Sequence, residues 1–219
     1  MSAFFLTIGT ALKWVGFALS PLLILPLLIL ISPSTFGRPS NALSAGLDRV
    51  SSASLTLANG LAILMVLTQI LVIIGRYIFD WSASWANETV VYCFAAVFLL
   101  AAASALKHDA HVRVDILREK MSARQKAGVD LAGIYLFLFP ICILILWAAI
   151  SPSFVRSWAN FEGSRETDGL PIKFIFKTLV PLFALLLTAQ GLAEAIRAAR
   201  RIRGHKGGDT PLTQGEEIA

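Results

Sequence analysis

The chain has 219 residues, of which 56% are hydrophobic and only 15% are charged; its net charge is +5. A soluble domain carries about 25% charged residues, and the mean hydropathy of +0.71 places the sequence among membrane proteins rather than soluble enzymes or nucleic-acid binders. The basic residues flank hydrophobic runs, so they read as topology signals and contacts for anionic lipid headgroups.

Residues 1–50 form an N-terminal extension around an apolar run at 15–31, which follows Lys13 and contains Pro21 and Pro26. One basic residue before the run, and proline in the Ser32-Pro33-Ser34 exit, fit a signal peptide poorly. The run reads instead as an additional N-terminal membrane helix. Residues 51–200 hold four further runs, each near the roughly 20 residues needed to cross about 30 Å of hydrocarbon. They lie at 53–78, 89–106, 131–150 and 174–193. The expected fold is therefore an all-α integral membrane protein of four transmembrane helices plus the N-terminal one. Pro140 and Pro181 fall inside the third and fourth runs and predict kinks. Pro171 suits a first helical turn. Residues 201–219 read as a disordered cytoplasmic tail.

Lys107, Arg113, Arg118, Lys120, Arg124 and Lys126 lie between the second and third runs, and Arg197, Arg200, Arg201, Arg203 and Lys206 follow the fourth. Two spans separate these segments, so they share a side, which the positive-inside rule makes cytoplasmic. Trp81, Trp85, Trp147 and Trp158 gather at the opposite, periplasmic ends as an aromatic belt. Cys93 and Cys142 lie within apolar runs and read as buried small side chains rather than a disulfide.

The spans are almost free of ionisable residues, which disfavours a solo transporter or channel. No histidine lies within a run, which disfavours a haem-bearing anchor for a redox enzyme. His108, His111 and Asp115 could be read as a metal or catalytic cluster, but basic residues crowd them and they read better as a solvated connection. No catalytic, cofactor or metal site emerges. Arg76 and Glu88 flank a short turn at similar depth and are expected to pair across it. The loop from Ser157 to Pro171 mixes aromatics with charges of both signs, as a docking surface would. Gly191 and the Ala101-Ala102-Ala103-Ser104-Ala105 run offer close helix packing.

Five stretches then carry a family resemblance: GRYIF at 75–79 followed by Trp85 and Glu88; HDAHVRVDIL at 108–117; DLAGIYLFLFP at 130–140; DGLPIKFIFKTLVP at 168–181; and QGLAE at 190–194. Over about residues 55–197 the chain resembles the small membrane subunit of tripartite ATP-independent periplasmic (TRAP) transporters. The likeness is to the branch labelled for mannitol, chloroaromatic compounds or 2-oxo acids. The resemblance implies a non-enzymatic scaffold subunit in the bacterial inner membrane. Its partners would be a large permease subunit and a periplasmic substrate-binding protein, in sodium-driven uptake of an organic acid without ATP. It implies interface roles only. Arg76, Trp85 and Glu88 would organise the outer hairpin, Trp158, Glu162 and Arg165 would meet the binding protein, and His111, Arg113 and Asp115 would lie on the cytoplasmic connection. Gly169, Pro171 and Lys177 belong to the GLP element.

Overall fold

A computed structural model describes residues 23–31, 33–108, 120–149 and 152–204. His111, Arg113 and Asp115, the first part of the 15–31 run and the tail from residue 205 lie outside the described residues. What is described is helical, and among those residues there is no strand. We number the helices α1 (Leu25–Ile31), α2 (Pro33–Ile78), α3 (Ser84–Lys107), α4 (Ala123–Ala149), α5 (Pro152–Ala159) and α6 (Lys173–Ile202). Four of them, α2, α3, α4 and α6, are long and apolar enough to cross a membrane.

Each span outruns its hydrophobic run at one or both ends. The largest difference is in α2, which has 46 residues and extends back to Pro33, through Arg38, Asp48 and Arg49. At 1.5 Å per residue it is about 70 Å long, more than twice the hydrocarbon thickness. Its extension is held by small polar residues: Ser40, Ser44, Ser51 and Ser54 are buried, at spacings that share one helix face. α4 begins at Ala123 because Ser122 and Gln125 form a reciprocal capping box, with Ser122 N–H donating to Gln125 Oε1 at 2.8 Å and Gln125 N–H to Ser122 Oγ at 3.3 Å. α6 ends where Gly204 takes φ +72° just past its cap, a conformation that glycine adopts without a Cβ penalty.

The two internal prolines are accommodated differently. Before Pro140, residues Ile134–Leu138 form a π-helical turn, and Phe139 N–H reaches back to Ile134 O. The wider turn absorbs the place where Pro140 would crowd the preceding carbonyl. Pro181 stays within an uninterrupted α6. Pro171 is not in a first turn: α6 starts at Lys173, and Ile172 is its N-cap. The apolar chain around it folds back on the loop before the helix begins.

α6 is the hub, packing against α1, α2, α3, α4 and α5. α3 pairs with the C-terminal part of α2 on one side, and α4 packs chiefly on α6 on the other. Between α2, α3 and α6 the core is Ala58, Ala96, Leu100, Ala103 and Leu186, small residues that bring backbones together. Between α1, α4 and α6 it is Ile29, Ala127, Leu131, Ile134, Phe139, Leu192 and Ile196. Gly191 sits at the π turn, where an added Cβ would lie 2.6 Å from Leu138 Cδ2. Cys93 and Cys142 are buried and free.

Candidate functional site

The helix ends carry two polar clasps, one beside Trp81 and one beside Lys107. The tryptophan end is built on a tight turn. Trp81 N–H donates to Gly75 O at 2.9 Å, and the Trp81 ring lies so close to Gly75 that a Cβ there would meet it at 2.6 Å. Asp80 takes φ +49° in this turn, a position that aspartate tolerates better than most residues. Trp85 lies against Trp81 with ring centroids 6.0 Å apart.

α3 then starts without a cap of its own, since Ala83 supplies no side-chain acceptor. Asp168 supplies it from across the chain, accepting from Ser84 N–H at 2.9 Å. That bond, with the Ser84 hydroxyl, holds the Asp168 carboxyl below its usual range; a carboxylate there also complements the positive end of the helix dipole. One turn later Glu88 accepts from Leu170 N–H at 2.7 Å and from the Ser164 hydroxyl. A side chain at Gly169 would collide with Ser164, at 2.3 to 2.4 Å, and approach Glu88 Oε1 at 3.0 Å. Glycine is therefore what allows the loop to close on Glu88.

A third carboxylate organises the other side of the loop. Glu162 is bridged by Lys173 at 2.9 Å and by Lys177, and accepts from Ser157 Oγ at 2.7 Å. Lys177, Lys173 and Ser157 together pull its carboxyl down to about 2. Phe174 N–H donates to Glu162 O at 3.1 Å. Trp158 and Phe161 both stack edge-on against Phe174, at 4.9 and 5.5 Å. Trp158 and Glu162 thus build the loop, whereas Arg165, Phe161 and Glu166 are exposed on it.

Arg76 does not pair with Glu88. It is exposed at the end of α2, while the loop satisfies the Glu88 carboxylate with a backbone amide and a hydroxyl. Their positions at the two ends of a short turn suggested the pair; they could not show that donors for Glu88 arrive from a loop some 80 residues further along.

The basic end holds a clasp that sequence reading missed. Arg197 grips Asp48 with two nitrogens, at 2.9 and 3.3 Å, and also bonds Glu194. Gln190, fully buried, donates to Asp48 Oδ1 at 3.2 Å and Glu194 Oε1 at 3.3 Å, and accepts from Ser51 Oγ at 2.6 Å. Lys107 reaches Ser52 Oγ at 2.9 Å, and Arg200 reaches Ser40 Oγ at 2.8 Å. α2, α3 and α6 are thereby tied at both ends. The available signal was the run of serines at helical spacing through residues otherwise read as a loop.

The arrangement positions a loop and locks helices. A family model matches residues 62–201: tripartite ATP-independent periplasmic transporters, DctQ component. No curated protein and no solved structure shows a match to the chain.

Proposed function

From the premise that this chain belongs to the DctQ-component family of tripartite ATP-independent periplasmic transporters, we propose that it is the scaffold subunit that pairs with a large permease. The pair takes up an organic acid, delivered by a periplasmic substrate-binding protein and driven by sodium, in the bacterial inner membrane. The family and the four spans make it a multi-pass transport component.

The observation that carries the scaffold role is where the charged groups of the clasps sit. Glu88, Glu162 and Asp168 fix the loop at one end, and Asp48, Glu194 and Arg197 tie helices at the other. They hold the subunit together rather than line a path through it. The tryptophan end faces the periplasm in this reading, and Arg165 with Phe161 offers the contact for the binding protein. His111, Arg113 and Asp115 would lie on the cytoplasmic connection, and the C-terminus would be cytoplasmic.

The test is recovery of the C-terminally tagged chain from native membranes in mild detergent, with mass spectrometry of what accompanies it. A large polytopic permease is expected. Recovery of the chain alone, where other membrane complexes survive, would overturn the proposal.

A further inference from the structure

Along α2, Asn59, Ala62, Val66, Gln69, Ile73 and Arg76 recur at spacings of three and four. At these spacings the six side chains share one face of the helix, half of them polar. α2 is the least covered of the four spans, and on this stripe all but Ala62 are exposed.

Two members are carboxamides, and neither is bonded within the described chain. Gln190, another amide of the spans, has both its oxygen and its nitrogen engaged, and Thr68, beside Gln69, donates to Leu64 O at 2.8 Å. Gln69 lies about 14 Å before the end of α2, near the middle of the hydrocarbon. Asn59 lies about 10 Å inside the level of Ser52, where the Lys107 ammonium sits. An amide left unpaired at such depth is costly, and across membrane helices it is satisfied by a neighbouring helix.

We propose that this seam receives one membrane helix of the large permease, with Asn59 and Gln69 hydrogen-bonding across it. Arg76 meets an acidic or carbonyl acceptor at the tryptophan end. The inference rests on the pairing proposed above and names its surface. Charge decides against a second copy of this chain: two parallel copies meeting on this seam would set Arg76 against Arg76. The exposed face of α4, with Phe137, Leu144 and Trp147, carries no such amide and faces lipid.

The test uses the full chain co-expressed with its permease and a photo-crosslinking residue at Val66, Ile73 or Leu144. Val66 and Ile73 are expected to crosslink to the permease, and Leu144 is not. Asn59→Leu with Gln69→Leu, a more apolar span, should weaken the complex roughly five- to thirty-fold, as loss of two interhelical amide bonds would. Crosslinks to the permease from Leu144 but not from Val66 or Ile73 would overturn the seam and leave the pairing standing. So would crosslinks from the seam to a second copy of this chain. If the unaltered chain brings down no permease, the pairing fails and the seam fails with it. The crosslinks are read on chains with intact Asn59 and Gln69, so they decide the matter even if the double variant does not accumulate.

Discussion

Glu88 shows how far a carboxylate's partner can lie along the chain. Its acceptors serve Ser164 and Leu170, 76 and 82 residues away, and the space that permits this is the missing side chain of Gly169. Hydrogen bonds to an ionised group contribute about 1.5–3 kcal/mol. Glu88→Gln combined with Ser164→Ala should therefore be non-additive in thermal unfolding of the purified complex. Arg76→Gln combined with Glu88→Gln should add to within about 0.5 kcal/mol, since no contact joins them; coupling between them would contradict the geometry.

Glu162 makes a different prediction, in pH. Its carboxyl is held at about 2, below the ordinary value of 4.5, by Lys177, Lys173 and Ser157. A depressed folded-state value means that its contribution is complete above about pH 4.5 and is lost as the pH falls toward 2. The stability difference between wild type and Glu162→Gln should then be constant near neutrality and shrink to nothing at the acid end. A difference that persists undiminished at pH 2 would show that the carboxylate is not what matters there.

At the scale of helices, the register of α2 against α6 is set by Asp48 and Arg197, with Gln190 and Ser51 dry beside them. Removing Arg197 leaves Asp48 and Glu194 without their cation, a loss of about 1.5–3 kcal/mol, whereas removing Asp48 leaves Arg197 paired with Glu194 and should cost less. Asp48→Asn and Arg197→Gln should each lower the unfolding temperature, and the double variant should lose clearly less than the sum. The four spans were legible in the sequence because their centres hold long charge-free runs, and so was the burial of Cys93 and Cys142. The reach of α2 back to Pro33 was not: hydropathy registers Arg38, Asp48 and Arg49 as loop, although they belong to a helix whose polar face is buried by α6. Nor was the π turn, since Pro140 announces a disturbance in the helix but not which hydrogen-bond shift absorbs it. Helix boundaries at Ser122 and Gly204 follow local rules that the residues themselves carry. The partners of Asp48 and Glu88 depend on tertiary contacts that no local rule reaches.

For the molecule as a whole, the clasps divide it into a basic end and a tryptophan end. The proposed topology puts the first in the cytoplasm and the second in the periplasm. A cysteine at Arg165 should react with an impermeant maleimide added to intact cells, and one at Ser122 should react only after the membrane is opened. Labelling of Ser122 alone would reverse the orientation, and labelling of both would rule out a single orientation. The native Cys93 and Cys142 are buried and should contribute little background.

The central place of α6 has a consequence in time. Every other described helix packs on it, yet it is the last of them to be synthesised. A ribosome adding about 5–20 residues per second needs several seconds to pass from the end of α4 to the end of α6. During that interval α4 waits in the bilayer without its principal neighbour, Asp48 has no Arg197, and Glu88 has no loop to hold. Lipid, a chaperoning insertase or the proposed permease partner must shelter these groups until the final helix arrives, so a stall late in translation would leave a chain that has crossed the membrane several times and has not yet folded.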